Sequence, residues 1–277
     1  MSEAYKRVEK CLACVREVTD FKPEIALILG SGLGNFGEQI EIEATVDYHD
    51  IEGFPVSTVP GHKGRFLFGY VAGVPVVCMQ GRVHYYEGYP MEDVVLPTRL
   101  MKLLGAKVLF LTNAAGGVNP SFKAGDFMLI TDQISQFVPS PLAGPNVDEL
   151  GERFPDMSEI YDSVLRDKIR AAADSLGIDL KEGIYLQSSG PNFESPAEVR
   201  FFGAAGASAV GMSTAVEAIA AKHAGMKICG ISLISNPAAG LSKVPLTHEE
   251  VQEAADAASA NFVKLVTESI RQIGGSI

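Results

Sequence analysis

"LILGSGLGNFG", residues 27–37, joins an apolar, strand-like stretch (Ile25 to Leu29) to a glycine run, Gly32 to Gly37, that spells G-x-G-x-x-G. A dinucleotide-binding βαβ unit needs a full helix after such glycines and an acidic residue at the end of the next strand, ~20 residues on. Here only "EQIE" follows Gly37 before "IEATVDYHDI", residues 42–51, which reads as extended. Glu52 has the right separation but sits in "IEGFP", a turn-like run. The spacing therefore disfavours the dinucleotide fold. What remains is a tight turn or an anion cradle, in which glycines free backbone N–H groups to converge on phosphate and Ser31 adds a hydroxyl.

Outward from this loop, strand-like and helix-like stretches alternate. Strands are expected at Ile25–Leu29, Arg65–Val71, Val74–Gln80, Lys107–Thr112, Phe127–Thr131, Gly183–Gln187, Ala209–Met212 and Lys227–Ser235. Helices are expected at Glu3–Thr19, Asp93–Leu104, Ser163–Leu176, Pro196–Ala204, Ala215–Ala224 and His248–Ile273. Interleaving of this kind predicts an α/β fold with strands buried on both faces. Residues 41–80 read as consecutive strands without a helix, so the sheet is expected to be mixed. No linker divides the chain, which reads as a single domain over residues 1–277.

Of the 277 residues, 47% are hydrophobic and 21% charged, enough for a sizeable core, and the net charge is −11. No Lys/Arg-rich block is present, which argues against a nucleic-acid partner. No apolar run approaches the ~20 residues that span a bilayer, and "MSEAYKRVEK" lacks the apolar core of a signal peptide. The expectation is a cytoplasmic protein with no membrane partner. Cys11 and Cys14 form a C-x-x-C inside an amphipathic helical pattern, with no second pair to complete a zinc site, and Cys78 and Cys229 sit in apolar runs. The five histidines, His49, His62, His84, His223 and His248, lack metal-ligand spacing. No metal is expected, and His223 near a helix end reads as a partner of the helix dipole.

Three helix starts carry capping boxes: Ser195–Glu198, Thr214–Glu217 and Thr247–Glu250. Phe193 and Glu194 precede the first, Met212 and Ser213 precede the second, and His248 lies just inside the third. Strand-to-helix turns gather at the carboxyl ends of parallel strands, where ligands bind. "GRVHYYEGYP", residues 81–90, follows another apolar strand. Arg82 and His84 share one parity there, and an arginine's planar donors suit phosphate oxygens. "TNAAGGVNP", residues 112–120, offers small residues past which backbone amides can reach a ligand. Residues 138–157 are irregular, with four prolines, and a loop this long in a compact domain is often functional.

The ordered set "GSGLG", "VPGHKG", "GRVHYYEGYP", "TNAAGG", "GPNFE", "VGMST" and "SLISN…THEEV" closely resembles the trimeric purine nucleoside phosphorylases, the family acting on 6-oxopurine nucleosides. The match runs from about Pro23 to the C-terminal helix. The resemblance implies a mixed central sheet flanked by helices and reversible phosphorolysis of inosine, guanosine and their 2′-deoxy forms. It also implies a homotrimer and no cofactor, inorganic phosphate being a co-substrate. Carried over residue by residue, it implies that Ser31, Arg82, His84, the Ala114 amide and Ser213 hold phosphate. Tyr86, Met212 and His248 would line the ribose. Phe193, Glu194 and Asn236 would bind the base, with Asn236, Glu194 and His84 the catalytic set. His62 would sit on a loop that closes the site, and Phe154 would reach a neighbouring subunit's site. The sequence departs from the common pattern at Ala215-Val216-Glu217, where Val-Pro-Glu is frequent, at Ser235, where threonine is frequent, and in the variable "PAAG" after Asn236. The related methylthioadenosine phosphorylases are disfavoured by Glu194, Asn236 and His248. An oxidoreductase would rest on the glycine run alone. A catalytically silent nucleoside- or phosphate-binding protein would bind without turnover.

Overall fold

The structure is a computed structural model. It describes residues 2–59, 61–242 and 247–275, apart from the side chains of 248–250. Its strands are β1 (Ile25–Ile28), β2 (Glu41–Asp47), β3 (Arg65–Val71), β4 (Val74–Gln80), β5 (Val108–Gly117), β6 (Phe127–Ile134), β7 (Leu180–Gln187), β8 (Ala209–Gly211) and β9 (Lys227–Pro237). Its helices are α1 (Glu3–Val18), α2 (Met91–Val94), α3 (Leu96–Leu104), α4 (Ser163–Leu176), α5 (Pro196–Ala204), α6 (Ala215–His223) and α7 (His248–Gly274). The predicted mixed α/β sheet flanked by helices is present.

All nine strands join one sheet in the order β2-β3-β4-β1-β5-β8-β7-β6-β9. A further parallel pairing of β5 with β9 closes five of them into a ring. β1 runs parallel to β4 and to β5, while β2, β3 and β4 form an antiparallel meander. The ladder between β2 and β3 shifts register between Ile42 and Ala44. Successive strand residues face opposite sides, so each strand feeds two cores. Ala26 and Ile28 pack with Val8, Leu100 and Ala218 beneath α1, α3 and α6; Ile25 and Leu27 pack with Ile169, Phe262 and Ile270 beneath α4 and α7.

Local chemistry explains the helix ends. The Ser2 hydroxyl accepts from Tyr5 N at 3.2 Å to start α1, which buries Val8, Cys11 and Val15. Asp162 caps α4, and Gly177 ends it in the left-handed conformation at φ 65°. The box at α5 is complete: Ser195 Oγ accepts from Glu198 N, and Glu198 Oε2 accepts from Ser195 N. The single helix expected over Asp93–Leu104 is divided at Val95, because Pro97 opens a new helix two residues on. The third capping box, at Thr247–Glu250, falls outside the described side chains.

The glycine loop resolves the opening ambiguity. From Gly34 it coils into a short 3₁₀ turn, Gly34–Gln39, that leads straight into β2, so no βαβ unit forms. A Cβ on Gly30 would stand 2.5 Å from Asn113 Cα, and Gly30 N donates to Thr112 Oγ1. Gly32 adopts φ +74°, where a Cβ would also meet Ala255. These two glycines let the loop pack tightly on β5 and α7. What the loop presents to the cavity described next is Ser31.

Among the described residues no helix is long and apolar enough to cross a membrane, and no group of three or more His, Cys, Asp or Glu could hold a metal ion. His223 corrects one expectation. It ends α6 but is buried, and burial together with the nearby Arg99 charge lowers its pKa. A neutral imidazole gives little to a helix dipole; instead its Nε2 lies 3.2 Å from Asn146 Oδ1, tying α6 to the long irregular loop.

Candidate active site

A cavity of about 460 Å³ opens where strand ends meet. Ser31 comes from the turn after β1, Arg82, His84 and Tyr86 from the segment after β4, and Ala114 from β5. Phe193 and Glu194 precede α5, Met212 and Ser213 follow β8, and Asn236 lies near the end of β9. These residues, distant in sequence, all line the same space. His248 starts α7, but its side chain lies outside the described residues.

Arg82 is 1% exposed and its charge is matched inside the protein. Its Nε and Nη2 face the two carboxylate oxygens of Glu217 at 3.2 and 3.0 Å, while Nη1 donates to Thr112 O at 2.8 Å and to Ser213 Oγ at 3.2 Å. A guanidinium has five N–H donors. The two-pronged edge that sequence assigned to phosphate is therefore turned onto Glu217. What Arg82 offers the cavity is its Nη2 end, ion-paired with Glu217 but without a hydrogen-bond partner, its field, and the Ser213 hydroxyl to which it donates. Glu217, legible only as a capping residue, is the counter-ion of the site. We expect Glu217→Ala to destabilise the fold by about 3–5 kcal/mol in urea unfolding, since it strands a buried charge; a loss within error of zero would show that Arg82 needs no partner.

Between Arg82 and α6 the chain stores strain. Thr214 has φ +81° and ψ −55°, and Ala215 N donates to Ser213 O at 2.9 Å. This is a γ-turn of the rare positive-φ kind, and for a β-branched residue a true outlier. Buried hydrogen bonds hold it: Asn113 Nδ2 to Thr214 Oγ1 at 3.0 Å, and Thr214 N to Glu217 Oε2 at 3.0 Å. The turn sets Ser213 against Arg82 at the entrance to α6, where the helix dipole favours an anion.

His84 is oriented by a carboxylate. Glu87 Oε1 accepts from His84 N at 2.7 Å and lies 3.0 Å from His84 Nδ1. Its Oε2 accepts from Thr58 Oγ1 at 2.7 Å. Burial alone would raise the Glu87 pKa, but these bonds from His84 and Thr58 prevail and hold it at about 2. Burial lowers the His84 pKa, so the ring is neutral with Nδ1–H on Glu87 and Nε2 left as an acceptor. His62 stacks on His84 at 5.5 Å and Tyr86 stacks on it at 4.7 Å. His62 itself does not line the cavity; Thr58 and Val59 of its loop do. Burial, with His84 beside it, lowers the His62 pKa to about 4.

Asn236 owes its placement to a bulge. β5 and β9 slip register so that Ala115 pairs with Ile234 but Gly116 pairs with Asn236. Neighbours on a regular strand point to opposite faces, yet Ser235 and Asn236 both line the cavity. Ser235 Oγ donates to Asn236 Oδ1 at 2.7 Å and Asn236 Nδ2 donates to Pro237 O at 3.3 Å, which fixes the amide and leaves its second N–H for the cavity. Glu194 Oε1 accepts from Ser188 Oγ at 2.9 Å, and burial raises the Glu194 pKa. Phe154 lies elsewhere. It is 85% exposed and borders a second cavity of about 760 Å³ with Gln133, Val138, Met157 and Val216.

With this geometry in hand, the comparisons are consistent. Residues 24–271 match the model of the phosphorylase superfamily. Purine nucleoside phosphorylase 1 of Bacillus subtilis (strain 168) is 49% identical over 266 residues, 96% of this chain and 98% of that protein. The crystal structures of Schistosoma mansoni purine nucleoside phosphorylase with adenosine and with inosine share 37% and 36% identity. Each has a TM-score of 0.91 and a match covering 96% of both chains. The chain belongs to the phosphorylase superfamily, among its purine nucleoside phosphorylases.

Proposed function

We propose that the cavity carries out reversible phosphorolysis of 6-oxopurine nucleosides, with Arg82, His84 and Ser213 serving phosphate and Glu194 and Asn236 serving the base. The observation that carries the reading is that these five side chains, from four separate strand ends, border one space. Phosphate is received by the Ser31 and Ser213 hydroxyls, the Ala114 amide, and the Nη2 end of Arg82. His84 Nε2 accepts from a P–O–H, because its other nitrogen is committed to Glu87. Tyr86 and Met212 flank the ribose, His248 serves its 5′-hydroxyl, and Phe193 packs on the base. A phosphate oxygen attacks C1′, the bond from C1′ to N9 breaks, and its electron pair passes into the purine. Asn236 Nδ2–H meets the charge growing at N7, which stabilises the transition state more than the ground state. Phosphate is both nucleophile and counter-charge, so the reaction asks for no cofactor and no covalent enzyme intermediate.

The working form is a homotrimer in which Phe154 of each copy completes a neighbour's site. Its exposed ring, beside Arg153, supports a surface there that a neighbouring copy covers. A cytoplasmic location is supported by four free cysteines. The loop carrying His62 gates the cavity, latched through Thr58 to Glu87. Inosine assayed with and without phosphate tests the whole reading. Hypoxanthine release is expected only with phosphate, from a species sedimenting as three copies. Phosphate-independent release would mean hydrolysis, and binding without release would mean a silent protein.

A further inference from the structure

Ser188 follows β7 directly and is anchored to the sheet: its N–H donates to Gly211 O at 2.8 Å, extending the pairing of β7 with β8. Its hydroxyl donates to Glu194 Oε1 at 2.9 Å. Glu194, by contrast, sits in the connection between β7 and α5. A sheet residue thus holds a carboxylate that belongs to a loop. The two 6-oxopurines differ on the edge that such a carboxylate would meet. Hypoxanthine presents a single donor, N1–H, whereas guanine presents N1–H and the 2-amino group. A carboxylate has two oxygens, and in a partly buried site an oxygen without a donor is unfavourable.

We propose that Ser188 is a specificity-determining positioning residue: its hydroxyl satisfies Oε1 of Glu194 and turns Oε2 to the base, so that the site accepts a purine with one donor as well as a purine with two. The inference rests on the reading of Glu194 as the base-binding carboxylate. For hypoxanthine, Ser188 stands in for the missing 2-amino group. For guanine, the base itself can orient the carboxylate through both oxygens, and Ser188 matters less.

The test is Ser188→Ala, with kcat and KM measured for inosine and for guanosine at saturating phosphate. The KM for inosine is expected to rise about tenfold, the scale for an acceptor on a charged group that loses its donor, with kcat unchanged. The KM for guanosine is expected to rise by less than about threefold, so the preference shifts toward the two-donor base. Ser188→Thr keeps the hydroxyl and restores the balance between the substrates. Equal losses for both substrates would mark a merely structural residue, and no loss for either would also overturn the proposal. Glu194→Gln separates the two layers of the argument. If it leaves both KM values in place, the base-binding role of Glu194 is wrong. If it raises them while Ser188→Ala is silent, only the role of Ser188 is wrong.

Discussion

Adenosine is expected to be turned over about 10⁴-fold less efficiently than inosine at neutral pH, the scale on which a site built around one hydrogen bond rejects an analogue lacking the donor. The cause is Glu194. As a carboxylate it only accepts, and adenine presents an unprotonated N1. Burial raises the Glu194 pKa above the ordinary carboxylate value, with Ser188 opposing the rise and the nearby Glu198 adding to it. The sign of the pH dependence follows. As pH falls toward that raised pKa, Glu194 gains a proton and becomes a weaker, uncharged acceptor for N1–H with one oxygen turned donor, so kcat/KM for inosine drops. The same proton makes Glu194 a donor to adenine N1, so the gap between the two substrates narrows in acid. Ratios of kcat/KM measured from neutral to acidic pH check this. Comparable turnover of the two nucleosides at neutral pH would remove Glu194 from its role.

Asn236→Ala is expected to lower kcat for inosine by about 10²–10³, the effect of removing one pre-aimed donor from a developing negative charge. Its KM should change far less, because the hydrogen bond strengthens only as the base departs. The amide does not float: Ser235 holds its oxygen end at 2.7 Å, and the β9 bulge aims both residues inward. Steady-state kinetics at saturating phosphate decide the matter. A near-normal kcat in the alanine variant would mean that the leaving base is stabilised by something else.

Much of the fold was legible because apolar runs mark buried strands. The bounds of β3, β4, α4 and α5 coincide with those read from residue pattern alone. β5 and β9 run further than their apolar stretches, to Gly117 and Pro237, because residues that line a cavity are small or polar while their backbones still pair. β2 showed as extended sequence without clear bounds, since most of its side chains are exposed. In the site, the residues placed by motif all reach the cavity except His62, which backs His84, Phe154, which lies outside, and His248, whose side chain is not described. The residues that hold the motif residues in place were not legible. Glu217 read as a helix cap, and its partnership with Arg82 spans 135 positions. Glu87 lay within the quoted motif, yet its link to Thr58 crosses 29 positions. Ser188 carried no local signal. Positioning contacts are set by tertiary neighbours, and a single chain's pattern records only its own periodicity.

Closing five strands into a ring has a consequence for solubility. A nine-stranded open sheet would expose two rows of unpaired amides and carbonyls, each a template for another chain. Here β9 finds β5, so among the described residues β2 is the one strand at an open end of the sheet order. That strand carries Glu41, Glu43 and Asp47, and its ladder is broken near Ile42. Acidic side chains and an irregular register are the usual deterrents to intermolecular strand addition. The topology that gathers strand ends around the cavity also leaves, among the described residues, one flank to guard, and that flank is charged.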